Sequence, residues 1–231
     1  VSHRVPPCAQ CVVAGQCPIA GYGELMRPER IGEVVARSYR RGTLMQREGE
    51  HAPWLSYVKS GLLAVRQSDL EGREPAIACI GHGNLLGQSG LQGQASVFTV
   101  EALTPVSVCE FPVQLLEEVC ALRGPSALPG LVAQHSRLVV ATLAAWSRLV
   151  RLPGLDQRLA MALQLLAEMQ PARSMQLPAQ GALAELLNVT RESVNRTWRA
   201  FVSQGIVRRP HHHGVELDLS RLERLLAPPE A

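Results

Sequence analysis

The sequence predicts an α+β chain in three parts: an antiparallel β-roll, one long helix and a C-terminal winged helix-turn-helix. Between residues 39 and 112, short apolar runs alternate with turn residues. After Pro129 the apolar period changes from two to that of a helix. Beyond Leu152-Pro153-Gly154, three further helical patterns end in a strand-like hairpin. The 231 residues suit two domains, each large enough to bury a core. A hydrophobic fraction of 46% beside 19% charged and 4% aromatic residues describes aliphatic cores and excludes a disordered chain.

The roll rests on regularly spaced turns: Arg41-Gly42, Glu48-Gly49-Glu50, Lys59-Ser60-Gly61, Leu70-Glu71-Gly72 and Gly81-His82-Gly83-Asn84. Residues 54–58, 62–66 and 97–103 mix β-branched and apolar side chains at strand length, and a small barrel or roll closes such strands. In the long helix, Val132, Val139, Leu143, Trp146 and Val150 recur at steps of seven, four, three and four. Two packings satisfy that stripe, the chain's own roll or a second copy. The seam-like spacing favours a two-chain coiled coil, so these five residues are the expected homodimer interface. Pro153 removes a donor and Gly154 loosens the backbone, which places a domain boundary there.

The second half begins with an amphipathic helix over residues 155–169. Residues 180–187 then predict a helix, Asn188-Val189-Thr190 a turn, and residues 190–204 a second helix capped by Thr190. Apolar Leu183, Ala184, Leu187, Val189, Val194, Trp198 and Phe201 fall where two such helices would cross steeply, and small Ala184 permits close approach. The net charge of +3 is too small to announce nucleic acid, so position decides. Arg191, Arg196, Arg199, Arg208 and Arg209 face a single acid, Glu192, over the 20 residues from Thr190 to Arg209. The second helix presents Arg191, Glu192, Asn195, Arg196 and Arg199, mostly near its N-terminus, the part that enters a major groove in this motif, and Thr190 at that end is expected among the DNA contacts with them. Arginine can bond both guanine acceptors and glutamate can accept from a cytosine amino group. Glu192 and Arg196 can therefore read adjacent base pairs, although a solvated Glu–Arg pair four residues apart has the same spacing. Arg199, Arg208 and Arg209 are expected on phosphates, which orient without specifying. His211-His212-His213 sits between Arg208-Arg209-Pro210 and the strand-like run Val215-Glu216-Leu217-Asp218-Leu219, as in a wing hairpin.

Over nearly the whole chain these features resemble the cyclic-AMP receptor protein and FNR family of bacterial regulators. The resemblance is carried by Arg47-Glu48-Gly49-Glu50, Lys59-Ser60-Gly61, Gly83-Asn84-Leu85-Leu86-Gly87, the long helix and Thr190-Arg191-Glu192-Ser193-Val194-Asn195-Arg196. It implies a cyclic-nucleotide-binding-like double-stranded β-helix, a dimer on palindromic double-stranded DNA and contact with RNA polymerase. Arg191, ahead of Glu192, resembles the cyclic-AMP branch, where the FNR branch carries an apolar residue, so the outer bases of the half-site stay open.

Cys8-x2-Cys11-x5-Cys17 resembles the cluster motif of the FNR branch, and Val108-Cys109-Glu110-Phe111-Pro112 the segment supplying its fourth ligand. The resemblance implies an oxygen-labile 4Fe-4S cluster on Cys8, Cys11, Cys17 and Cys109, and thus oxygen sensing. Four thiolates satisfy such a cluster, three from a loop and one from the roll. Zinc, or a reversible Cys8–Cys11 disulfide, is the alternative for the same thiols, because cytosolic cysteines are kept reduced unless they are functional. Cys79 and Cys120 read as buried thiols. The cyclic-nucleotide branch carries a Glu and an Arg where this chain has Gly87-Gln88 and Ala95-Ser96, so a cyclic phosphate could not be neutralised and no cyclic nucleotide is expected.

The organisation expected is a cluster-binding segment over 1–28, a sensor roll over 29–128, a dimerisation helix over 129–152 and the winged helix-turn-helix over 153–231. An iron-sulfur electron carrier would not need the arginine-rich helix. An enzyme finds no support: Glu117-Glu118 reads as a solvated pair and His82 as a turn residue. With no run of 18 apolar residues, and three cysteines and three prolines among the first 20 positions, no membrane association is expected and a cytoplasmic protein is.

Overall fold

A computed structural model describes residues 2, 3, 11, 15, 17, 20, 32–170, 175–211 and 214–227; side chains at 2, 3 and 209–211 lie outside that description. Cys8, His212 and His213 are therefore outside the described residues, as is most of the expected 1–28 segment.

The chain is α+β, as its patterning predicts. Eleven strands occur among the described residues. One sheet runs β1 (Ser2–His3), β2 (Val35–Tyr39), β9 (Val106–Pro112), β4 (Trp54–Ser60) and β7 (Leu85–Leu86). A second runs β3 (Leu44–Gln46), β8 (Thr99–Ala102), β5 (Leu63–Arg66) and β6 (Ala76–Ile80), and every pairing in the two sheets is antiparallel. The turns need their glycines: Gly61 has φ +96, and a Cβ there would sit 2.4 Å from the Pro105 carbonyl oxygen. His82 is a turn residue, its Nδ1 3.0 Å from the Lys59 carbonyl oxygen.

Helix α1 (Val113–Arg123) closes the roll and α2 (Ala127–Leu149) is the long helix. It begins two residues before Pro129, because proline in a first helical turn removes a donor that has no partner there anyway. Helices α3 (Leu155–Glu168), α4 (Gln180–Leu186) and α5 (Arg191–Ser203) follow, then the hairpin β10 (Val207–His211) and β11 (Gly214–Leu217) and a last helix α6 (Leu219–Leu226). The strand-like reading ran to Leu219; the structure stops β11 at Leu217 because the Asp218 carboxylate accepts from the Arg221 N–H and caps α6.

The five residues expected at the homodimer seam do not share one environment. Trp146 is 1% exposed within its own chain and its indole N–H donates to the Cys79 carbonyl at 3.0 Å. Leu143 packs on the same core, and Val139 and Leu143 line a cavity against the roll. Val132 is half-buried, and Val150, which is exposed, follows the end of α2. The stripe chosen from its spacing is thus largely the one facing the roll. The opposite stripe, Ala133, Arg137, Val140, Ala141, Ala144 and Arg148, is exposed. A helix apolar on both sides offers two stripes, and periodicity alone does not say which is buried first.

Candidate functional site

The described helix-turn-helix is built by burial. Leu183, Ala184 and Leu187 meet Val194, Trp198 and Phe201, all buried in one core. The turn between α4 and α5 passes through Asn188, whose φ of 52 makes it the only non-glycine residue with positive φ among the described residues; asparagine tolerates that region. The Val189 N–H donates to the Ala184 carbonyl at 2.9 Å, holding the turn against α4. Thr190 caps α5, its hydroxyl accepting from the Ser193 N–H at 3.2 Å.

This cap leaves Arg191, Glu192, Arg196 and Arg199 exposed on one side of α5, with Asn195 half-buried between them. Among the described residues none forms an ion pair with these four charged side chains, so the Glu192–Arg196 pair that would occupy them internally is not formed. Arg208 is exposed on β10, beside α5, and Arg209 lies on the same strand with its side chain outside the description. The surface is a cationic helix face with one carboxylate, flanked by a hairpin, which suits a polyanion with readable edges.

A second candidate site lies at the other end. Cys109 is buried in β9, paired across to Ala36 on β2 and Tyr57 on β4. It belongs to an apolar cluster with Leu55, Phe111 and Leu116, and half-buried Cys11 and Cys17 pack against that same cluster. The Tyr57 hydroxyl is buried with no hydrogen-bond partner among the described residues, and its pKa is pushed up to about 12 by burial and then by its electrostatic interaction with Cys17 and Cys11. Two N-terminal thiols and the roll thiol thus converge on one face. Among the described residues, however, no three His, Cys, Asp or Glu side chains are close enough together to hold a metal ion. Cys79 is apart from this face, and burial pushes its thiol up to about 12, which suits an inert core residue. Cys120 is buried in α1.

The two places where a cyclic phosphate would need charge come together in a cavity of about 210 Å³ between the roll and α2. Gly87, Gln88 and Ser96 line it, with Phe98 and Leu143 among its apolar walls, and none of the described residues lining it is charged. Gln46 bridges its polar edge: its carbonyl accepts from the Gly87 N–H at 3.0 Å, and its amide donates to the Ser96 hydroxyl. Sequence reasoning missed Gln46, because its partners lie 41 and 50 residues away.

Residues 36–123 match the model of the cyclic nucleotide-binding domain, and residues 157–225 that of the Crp-like helix-turn-helix domain. A sensor-type roll joined through a long helix to a Crp-like reading head makes this chain a DNA-binding transcription regulator of the CRP/FNR family, and not an enzyme. It is 25% identical over 218 residues to the transcriptional activator protein FnrA of Stutzerimonas stutzeri, covering 89% of this chain and 86% of that one. It is 27% identical over 167 residues to the cAMP-activated global transcriptional regulator CRP of Escherichia coli, covering 69% and 79%. Among solved structures, FixK2 from Bradyrhizobium japonicum superposes with a TM-score of 0.70 at 20% identity, over 85% of this chain and 99% of that one. Among the described residues no helix is long and apolar enough to cross a membrane.

Proposed function

We propose that this regulator is an FNR-like oxygen sensor that binds palindromic promoter DNA as a homodimer, with Cys8, Cys11, Cys17 and Cys109 holding a 4Fe-4S cluster. The observation that carries this reading is the approach of Cys11 and Cys17 to the apolar face that contains Cys109. The donor set fits the group in kind, and the Tyr57 hydroxyl, near Cys11 and Cys17, has no partner among the described residues. When bound, the group would supply the oxygen-sensitive chemistry, with Cys8, Cys11, Cys17 and Cys109 as the residues that would hold it.

This chain's own residues do the rest. Cys109 anchors from a strand hydrogen-bonded on both sides, so the roll fixes the position of that thiol. The exposed stripe of α2 around Val140 meets its copy, which sets two α5 helices at half-sites about one helical turn apart. The uncharged cavity with its Gln46 bridge favours a regulator that does not answer to a cyclic nucleotide, unlike the cAMP-activated relative.

Anaerobic purification tests the reading: brown protein with about four irons per chain, shifting a palindromic duplex until exposed to air, is expected. Cys109→Ala should lose the iron while still unfolding cooperatively, and full iron occupancy in that variant rejects the assignment. Colourless protein holding zinc or no metal instead favours thiol redox or zinc chemistry in the same fold. The spacing of the described thiols, short of a closed metal site, is what keeps that second reading in view.

A further inference from the structure

Arg66, at the end of β5, is the meeting point of the two halves of the chain. Its Nη2 donates to the Glu185 carboxylate on α4 at 3.0 Å and its Nη1 donates to the other carboxylate oxygen, a two-pronged bond between residues 119 apart in sequence. Its Nε donates to Glu101 on β8 at 2.9 Å, and Nη1 also reaches the Glu74 carbonyl at 2.9 Å. Glu185 accepts a further bond from the Ala76 N–H at 3.0 Å. The arginine side chain is 16% exposed and the Glu185 side chain 34%, so the pair is shielded from water and salt more than a surface bridge would be.

The surroundings say what this bond is for. Beside it runs a cleft of about 870 Å³ between roll and reading head, lined by Asp69, Glu74, Ile77, Trp146, Val150 and Glu185 among others. Apolar packing around Trp146 and Leu149 holds the halves together near the Leu152-Pro153-Gly154 pivot, but apolar contact is non-directional. A polar contact also crosses from the His82 N–H to the Met169 carbonyl just beyond α3, at 3.2 Å. A planar guanidinium meeting a carboxylate through both oxygens fixes angle as well as distance. Glu185 is moreover coupled to the reading helix: its own carbonyl accepts from the Asn188 N–H at 3.0 Å, and Thr190 starts α5 two residues later.

We propose that Arg66 and Glu185 are a positioning pair which sets the angle of the helix-turn-helix on the roll, and thereby the half-site spacing that the dimer accepts. Glu101 holds the arginine from its other side so that the fork points across the cleft. The inference rests on the operator-binding reading above and is independent of the iron.

The test uses the full-length chain and a series of palindromic duplexes whose half-sites are separated by one helical turn or by that distance plus or minus two base pairs. Each two-base-pair change rotates one half-site by about 70° relative to the other. Native protein is expected to bind its preferred spacing at least about tenfold more tightly than either neighbour. Arg66→Gln and Glu185→Gln should each flatten that preference to within about threefold, while unfolding as cooperatively as the native chain. Combining the two should change spacing preference no further than the stronger single variant, because the members of one pair are not additive. Single variants that weaken binding equally at all spacings, or leave it unchanged, overturn the proposal. If the native chain shifts no palindrome, the operator reading fails by itself. The pair is then scored by trypsin cleavage after Arg151, read by mass spectrometry: faster release in both single variants supports a clasp across the pivot, and an unchanged rate rejects it.

Discussion

Helices α2 and α5 are both amphipathic, yet the spacing of apolar residues settles the buried face of one and leaves two candidate faces on the other. Helix α5 has a single buried apolar stripe, Val194, Trp198 and Phe201, and its exposed side is polar or charged apart from Ala200 and Val202, so one orientation buries it best. Helix α2 carries apolar residues all round: Trp146 and Leu149 are buried, while Leu138 and Val140 are 39% and 66% exposed. Regular spacing identifies a stripe, but the larger side chain decides which stripe goes inside. An indole with a donor to satisfy wins that place over valine and alanine.

The sharpest break of this comparison is Trp146→Ala, which should destabilise the chain by about 3–5 kcal/mol in urea unfolding, a cavity cost with a lost hydrogen bond. A loss below about 1 kcal/mol would mean that Trp146 belongs to a dimer seam after all. On α5, Arg196→Ala should weaken operator binding by about 1–3 kcal/mol and relax selectivity at one base pair, with thermal unfolding unchanged. Binding isotherms on duplexes altered at single positions read that out. Val140→Arg on the outer stripe of α2 should raise the dimer dissociation constant at least about tenfold, roughly 1.4 kcal/mol, by light scattering, and leave the monomer folded. A variant as dimeric as the native chain would send the interface elsewhere. The smallest effect expected is Thr190→Ala, about 1 kcal/mol of stability from the lost cap, seen as a lower urea midpoint at constant slope.

What was legible in the sequence follows the range of the forces involved. The turn at Asn188 and the cap at Thr190 are decided within a few residues, and both stand where local chemistry put them. Helix α6 was missed although Asp218 was there to cap it, because the apolar alternation from Val215 onward looked like a longer strand. Contacts such as Gln46 with Ser96 or Arg66 with Glu185 have no local trace, since either polar residue alone looks like ordinary surface. The thiol site falls between these cases. Spacing marked its members, but the approach of Cys11 and Cys17 to Tyr57 depends on the pairing of β4 with β9, which no spacing encodes.

One apolar cluster runs unbroken from Leu63 and Val100 in the roll through Trp146 and Leu159 to Leu183 and Phe201 in the reading head. Heat should therefore melt sensor and reader together, as one calorimetric peak whose enthalpy is that of the entire chain. A mutation that softens the roll would then be felt at the operator even where it touches neither ligand nor nucleic acid.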